Sequence, residues 1–182
     1  KMSDHLSTLL TNSHTKEAFA LDVGFGDGRF SLILAKNGYV VDALDLNKEN
    51  ADFLRKKSEG LPVNIFCESI EKFSFEKNKY SIILARNVLP FIQDKTEVER
   101  IIQALAEALV EGGKIHFTLF GKKDEWFEKK QNMSFFDYEE IIPLFEKVGL
   151  KINFQSTEEG WGPTMKGEIK YWNIHRYFCE KI

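Results

Sequence analysis

The chain has 182 residues, of which 43% are hydrophobic and 29% are charged, as in an ordinary soluble globular protein. Its formal net charge of −3 excludes a general electrostatic attraction to nucleic acid or to an anionic membrane surface. No apolar run approaches the roughly 20 residues that a membrane span needs. The N-terminus also lacks the charged segment followed by an apolar segment that is typical of a signal peptide. We therefore expect one domain over residues 1–182.

The two cysteines restrict the cofactor classes further. Cys67 and Cys179 lie far apart and form no CxxC motif, which excludes a cysteine-rich zinc site or an iron–sulfur cluster built from this chain alone. A disulfide framework is not expected, so the sequence favours the reducing cytoplasm. Both cysteines lie in strand-like segments and are predicted to be buried packing residues.

Strands and helices are predicted to alternate along the chain. Helical segments show apolar residues at helical spacing, and Asn47 is the expected N-cap of the second of them. The predicted strands are 18–23, 39–46, 63–68, 80–88, 114–120, 151–157 and 171–182, and the predicted helices are 29–38, 47–60, 96–113 and 134–149. Two long segments, 121–133 and 158–170, carry no clear element and are predicted to be loops over the ligand-binding edge.

This alternation, with nearly continuous apolar strands, predicts an α/β fold with a parallel sheet covered on both faces. Ligands of such sheets bind beyond the carboxyl ends of the strands. Polar or glycine residues follow one strand after another at that edge, namely Gly24–Gly28, Asp45, Glu68, Arg86–Asn87 and Phe120–Gly121.

The segment "DVGFGDGR" indicates which ligand this edge holds. Its glycines have the spacing GxGxG, whereas a dinucleotide fingerprint GxGxxG would need glycine where the chain has Arg29. Asp27 would also place a negative charge where phosphates should lie. A ligand without phosphates suits this turn better.

The stretch "ALDVGFGDGRFSLILAKNGYVVDALDLN" resembles the first motifs of class I S-adenosylmethionine-dependent methyltransferases. In that family one strand ends in [DE]-x-G-x-G-x-G and the next ends in an acidic residue. The resemblance covers about Ala18 to Phe91, and more loosely the final strand. It implies a Rossmann-like, doubly wound, mostly parallel seven-stranded sheet with an antiparallel last strand. "YSIILARNVLPFI" is also similar to the tellurite-resistance (TehB-like) small-molecule branch.

The resemblance also implies roles for individual residues. The glycines would let the backbone approach S-adenosylmethionine, Asp22 would lie near its ammonium group, and Asp45 would accept hydrogen bonds from the ribose. The full predicted cofactor-binding set is Asp22, Gly24, Gly26, Gly28, Asp45, Leu46, Glu68, Ser69, Ile70 and Arg86. The alternatives are a helix N-cap for Asp45, a solvated turn residue for Glu68 and a salt bridge to a neighbouring helix for Arg86.

An antiparallel last strand would begin at the ligand edge, which brings aromatic residues toward a methyl acceptor. The predicted substrate-binding residues are Asn87, Phe120, Trp126, Trp161, Tyr171 and Trp172, with anchoring of loops on the core as the alternative for the tryptophans. His116 and His175 are interpreted as structural strand residues. No metal site is predicted, and the catalytic residues are unknown.

The function predicted is methyl transfer from S-adenosylmethionine to a small molecule, by in-line displacement with proximity catalysis. The [DNS]PP[YF] motif of methyltransferases that act on amino groups of bases or glutamine is missing after the fourth strand. Together with the net negative charge of the chain, its absence disfavours nucleic acid as the methyl acceptor. The alternatives are a non-catalytic S-adenosylmethionine-binding regulatory protein and a nicotinamide-dependent oxidoreductase. A monomer or homodimer is expected.

Overall fold

The computed structural model describes residues 18–182. Residues 1–17, on which the signal-peptide expectation depends, lie outside the described range. The strands are β1 (Ala18–Val23), β2 (Tyr39–Leu44), β3 (Val63–Phe66), β4 (Tyr80–Ala85), β5 (Leu109–Phe120), β6 (Leu150–Pro163) and β7 (Ile169–Lys181). The helices are α1 (Arg29–Lys36), α2 (Lys48–Lys57), α3 (Lys95–Ala108), α4 (Trp126–Lys129) and α5 (Tyr138–Lys147), with a 3₁₀ turn at Leu89–Phe91.

The seven strands form one sheet in the order β3-β2-β1-β4-β5-β7-β6. Strands β1 to β5 pair in parallel, whereas β7 pairs antiparallel with both β5 and β6. The predicted doubly wound sheet with an antiparallel last strand is therefore confirmed. Because the strand order reverses between β1 and β4, the carboxyl ends of these two strands and of β2 are where this architecture binds ligands.

Each face of the sheet is covered by helices that bury their apolar sides. On one face α1 and α2 contribute Leu34 and Leu54 to a core with β1, β2 and β4. On the other face α3 and α5 contribute Ile101 and Phe145 to a larger core that also contains Phe117 of β5. With both faces covered in this way, the strand ends are the part of the sheet that is open to a ligand.

Two helix boundaries differ most from those predicted. The third helix ends at Ala108 rather than at the paired glycines, and β5 already begins at Leu109, with a shift in its register against β4 before Lys114. The last helix begins at Tyr138 rather than at residue 134, because Asp137 and Glu140 form a capping box there. Pairing and capping thus override the helical spacing of the sequence.

The prediction of a loop over residues 158–170 is wrong. Strand β6 continues to Pro163 and β7 starts at Ile169, so most of this segment is a β-hairpin with a turn at residues 164–168. In the turn, Thr164 N donates to Glu168 O at 2.7 Å. The polar and glycine-rich composition had indicated a loop, whereas pairing with β7 across the hairpin extends it as a strand.

Two findings concern the predicted environment of the chain. Within residues 18–182, no helix is long and apolar enough to cross a membrane. Cys179 is buried as predicted, but the prediction for Cys67 is wrong, because this residue follows the edge strand β3 and is exposed.

Candidate functional site

The glycine-rich turn continues the pairing between β1 and β2 beyond their ends. Gly24 N donates to Leu44 O at 2.7 Å, and Gly28 N donates to Phe25 O at 2.9 Å to close the turn. All three glycines of the turn have positive φ, a conformation that side chains with a Cβ rarely adopt. The turn is therefore fixed by backbone hydrogen bonds and by residue type together.

The space around the glycines distinguishes their roles. A Cβ on Gly24 would lie 2.2 Å from Val88 Cγ2, and one on Gly28 would lie 2.5 Å from Leu54 Cδ1. A Cβ on Gly26 would meet nothing within 4 Å. Gly24 and Gly28 are thus required by packing inside the protein, and Gly26 is the glycine that presents bare backbone to open space.

Asp45 lies beside this open position at the end of β2. Its Oδ2 accepts a hydrogen bond from Gly26 N at 2.9 Å, and its Oδ1 accepts one from Asn47 N at 2.8 Å. Asn50 Nδ2 lies 3.3 Å from both carboxylate oxygens. The N-cap of α2 is Asn47, as predicted, because its side chain accepts from the backbone of the first helical turn. Asp45 is therefore not the helix cap; its carboxylate is oriented toward the glycine turn.

Asp22, at the end of β1, is a buried carboxylate. Ser31 Oγ on α1 donates a hydrogen bond to its Oδ2 at 2.6 Å. Burial raises the pKa of Asp22 to about 6, and the Ser31 hydrogen bond and the charge of Arg86 oppose this shift. The sequence analysis did not single out Ser31; its only signal is a hydroxyl residue on the apolar side of a short helix.

The ends of β2 and β3 meet at the same edge. Leu46 is 73% exposed, which is unusual for a leucine, and Cys67 Sγ lies 3.7 Å from its backbone oxygen. Beyond β3, Glu68 is exposed, Ser69 is half-buried and Ile70 is buried. Leu46 thus directly follows Asp45 and is exposed, and Glu68, Ser69 and Ile70 follow the neighbouring strand β3.

Arg86 and Asn87 follow β4. The Arg86 guanidinium carbon lies 3.7 Å from the centroid of the Phe30 ring on α1. Asn87 has a φ of 52° and is clamped to β5, since its backbone N donates to Thr118 Oγ1 at 2.7 Å and Thr118 Oγ1 donates to its Oδ1 at 3.1 Å. Arg86 therefore packs on the neighbouring helix through an aromatic ring, and the Asn87 side chain serves to hold the loop.

Three of the predicted substrate-binding aromatic residues converge on a lysine. Lys170 Nζ lies 3.7 Å from the ring centroid of Trp172, 4.4 Å from that of Trp126 and 5.6 Å from that of Phe120. Lys170 is buried and forms an ion pair with the buried Asp124. The three rings thus surround a cation from this chain itself. We call this group, with Asp124, the lysine cage.

The remaining two aromatic residues lie apart from the lysine cage. Trp161 of β6 faces Tyr171 of β7 across the hairpin, with ring centroids 5.7 Å apart, and Trp161 is 71% exposed. The Tyr171 hydroxyl donates to Glu159 Oε2 at 3.4 Å. The sequence analysis missed Lys170 and Asp124, because their pairing joins residues 46 positions apart.

His116 and His175 occupy the interior of the sheet. His116 stacks on Phe178 with centroids 4.0 Å apart, and His175 Nδ1 lies 2.9 Å from Thr157 Oγ1. Burial lowers the pKa of His175. Across the described part of the chain, no cluster of three or more histidine, cysteine, aspartate or glutamate side chains could hold a metal ion.

A family model described as "Methyltransferase domain" matches residues 20–113, which is more than half of the chain. The chain belongs to this family. The prediction of a class I S-adenosylmethionine-dependent methyltransferase, made from the glycine turn and Asp45, is confirmed.

Relatives of known name match part of the chain. A ubiquinone biosynthesis O-methyltransferase of Coxiella burnetii is 29% identical over 109 residues, which is 59% of this chain and 45% of that protein. A release factor glutamine methyltransferase of Streptococcus pneumoniae is 30% identical over 92 residues, or 50% of this chain and 33% of that protein. The chain thus spans less than half the length of these curated relatives.

Solved structures resemble nearly the whole chain. TehB from Haemophilus influenzae superposes with a TM-score of 0.78 at 19% identity, over 99% of this chain and 61% of that chain. A S-adenosylmethionine-dependent methyltransferase from Methanosarcina mazei gives 0.73 at 20% identity, over 98% and 97% of the two chains. At these identities the likeness establishes the fold.

Substitution of the glycines tests the division of roles within the turn. Gly28→Ala should lower the free energy of unfolding by about 3 kcal/mol, because a left-handed alanine costs about 1–2 kcal/mol and its Cβ would overpack Leu54. Gly26→Ala should cost only the conformational part, about 1–2 kcal/mol, and leave a folded protein. Urea denaturation of both variants measures the difference.

The same variants have distinct expected effects on ligand binding. Folded Gly26→Ala should bind S-adenosylhomocysteine at least about tenfold more weakly in calorimetry, because its methyl group fills the open space beside Asp45. Wild-type affinity in Gly26→Ala would show that the ligand does not approach this position.

Proposed function

We propose that this chain transfers a methyl group from S-adenosylmethionine to a small-molecule acceptor. One observation carries the proposal. Asp22 and Asp45 lie at the carboxyl ends of the adjacent parallel strands β1 and β2, and Asp45 accepts a hydrogen bond from Gly26 N. These carboxylates suit an ammonium group and hydroxyl donors, and the exposed carboxylate of Asp27 in the turn disfavours a phosphate.

The residues at the edge fit each part of the methyl donor. Asp22 would receive the ammonium group and Asp45 the ribose hydroxyls. The exposed Leu46 would cover one side of the adenine. The stretch from Glu68 to Ile70 would border the adenine amino group, with Ile70 providing apolar surface. Gly26 would allow the backbone to lie against the sugar.

The proposed mechanism needs positioning more than acid or base groups. When bound, S-adenosylmethionine supplies an activated methyl group whose bond to sulfur breaks as the bond to the acceptor forms. The protein's part is to hold the acceptor atom in line at about 3–3.5 Å and to exclude water. We assign no catalytic base, because the Asn87 side chain is engaged by Thr118 and the Tyr171 hydroxyl by Glu159.

A small molecule is the favoured acceptor class. The S. pneumoniae relative is named for a glutamine substrate, but the sequence "RNVLPF" here does not reproduce the [DNS]PP[YF] motif, and Asn87 is bonded to β5. The C. burnetii relative is named an O-methyltransferase of ubiquinone biosynthesis, which favours an organic acceptor with a hydroxyl group. We propose one cytoplasmic domain that works as a monomer or homodimer.

Binding and turnover together test the proposed function. The protein should bind S-adenosylmethionine and S-adenosylhomocysteine but not NAD(H) in calorimetry. It should then convert S-adenosylmethionine with a member of a panel of phenol, thiol, amine and chalcogen-oxyanion acceptors. Binding of the cofactor with no turnover on any class would favour the regulatory alternative, and binding of NAD(H) alone would favour the oxidoreductase.

Asp45→Ala should weaken S-adenosylhomocysteine binding by about tenfold or more, since a hydrogen bond to a charged group contributes about 1.5–3 kcal/mol. Asp27→Ala is the matched control, because Asp27 is an exposed aspartate of the same turn, and it should leave the affinity unchanged. A deoxyribose analogue of S-adenosylhomocysteine should lose affinity to the wild type but not to Asp45→Ala. Equal losses in both proteins would contradict the ribose assignment.

The raised pKa of Asp22 predicts a pH dependence. Its pKa of about 6 in the ligand-free protein lies above the ordinary 3.8, so the group is ionised above pH 6 and becomes neutral below it. Because the ammonium requires the carboxylate, affinity for S-adenosylhomocysteine should fall about tenfold between pH 7 and pH 5. The same shift stabilises the ligand-free fold most below pH 3.8 and loses that contribution as the pH rises through 6.

Calorimetry across this range, with Asp22→Asn as the control, measures the effect. Asp22→Asn cannot titrate at this position, so its affinity should be lower at pH 7 and nearly independent of pH. A pH slope of wild-type size in Asp22→Asn would assign the dependence to another group.

A further inference from the structure

Arg86 is placed where the proposed methyl acceptor and the methionine end of the donor would meet. It follows the last residue of β4, whose partner on β5 is Phe117, and it lies on the α1 side of the sheet, because its guanidinium covers the Phe30 ring. Asp22 lies on the same side, since it pairs with Leu84 of β4 and bonds to α1. Asp22 and Arg86, which carry opposite charges, therefore lie on the same side of the sheet near the carboxyl ends of β1 and β4.

The guanidinium lies over an aromatic ring and keeps its donors free. Its carbon lies 3.7 Å from the Phe30 ring centroid, and none of its N–H groups donates a hydrogen bond to a residue within 18–182. Among residues 18–182, the charged groups that act on Arg86 are Asp22, Arg29, Asp27 and Arg176, and all of them act through space rather than by a hydrogen bond.

The donors of Arg86 are thus free for an anion that residues 18–182 do not provide. Arg86 is half-buried, and burial lowers its pKa. A half-buried guanidinium with free donors is costly unless an anion binds it, and its fork geometry matches a carboxylate. The nearby Arg176 does not compete for this role, because it is paired with Glu158 at 2.5 Å.

Asp22 and Arg86 together are complementary to a zwitterion. One is a buried anion, the other a stacked cation, and no hydrogen bond joins them within the described chain. Building on the proposed function, we propose that Arg86 binds a carboxylate at the methyl-transfer site. The carboxylate belongs either to the amino-acid tail of the methyl donor, next to the ammonium at Asp22, or to an acidic acceptor.

Three ligands separate these sources in calorimetry with Arg86→Gln. S-adenosylhomocysteine carries the whole amino-acid tail, its decarboxylated analogue keeps the amine, and 5′-methylthioadenosine has no amino-acid tail. If the donor's carboxylate is bound, Arg86→Gln should weaken S-adenosylhomocysteine about 10- to 100-fold and leave the other two ligands within about twofold. If the acceptor's carboxylate is bound, all three affinities should stay unchanged, and KM should rise for carboxylate acceptors but not for neutral ones.

Arg29→Gln is the matched control. Arg29 also lies over Phe30, with its guanidinium carbon 4.7 Å from the centroid, but it is exposed. This variant should leave every affinity and KM unchanged, and thermal melting of both variants confirms folding. Equal weakening of all three ligands by Arg86→Gln, or no change in any affinity or KM, would overturn the proposal. Failure of the wild type to bind S-adenosylhomocysteine would instead contradict the proposed function.

Discussion

The hydrogen bond from Gly26 N to the Asp45 carboxylate is the interaction on which the candidate site depends. It joins the turn after β1 to the end of β2, next to the backbone bond from Gly24 N to Leu44 O. Asn47 N holds the second oxygen of the same carboxylate. Because the protein's own donors fix Asp45, the orientation of its carboxylate is set before any ligand binds. Ligand binding therefore does not carry the conformational-entropy cost of ordering this side chain.

Among the described residues, the buried charges at this edge are of two kinds: those paired with each other, and those without an ion-pair partner. In the lysine cage, Lys170 is paired with Asp124, which also accepts from the backbone N of Trp126 and Asn173 at 3.0 Å each. These charges are satisfied, and their role is to hold the structure together. Asp22 accepts a hydrogen bond from Ser31 and Arg86 lies over Phe30, but no hydrogen bond joins the two charges to each other. In our proposal a zwitterionic ligand binds between them and compensates the remaining cost of their burial.

The segment after β5 is tied to β7 by hydrogen bonds. Gly121 N donates to Asn173 O, Glu125 N donates to Tyr171 O and Tyr171 N donates to the Glu125 carboxylate. Three of the aromatic residues predicted to bind the acceptor, Phe120, Trp126 and Trp172, therefore contact Lys170 of the chain itself.

The sequence by itself determined the alternation of strands and helices, the phosphate-free character of the turn and the N-cap at Asn47, because each depends on residues close together in the chain. It also predicted which residues end the strands, since parallel strands share one edge. Only the tertiary structure decided that residues 158–163 are a strand, that Lys170 lies among three aromatic rings and that Arg86 stacks on Phe30. The lysine cage and the contact of Arg86 with Phe30 depend on partners far apart in sequence, and the strand at 158–163 depends on its pairing with β7 across the hairpin. Local composition alone predicts neither.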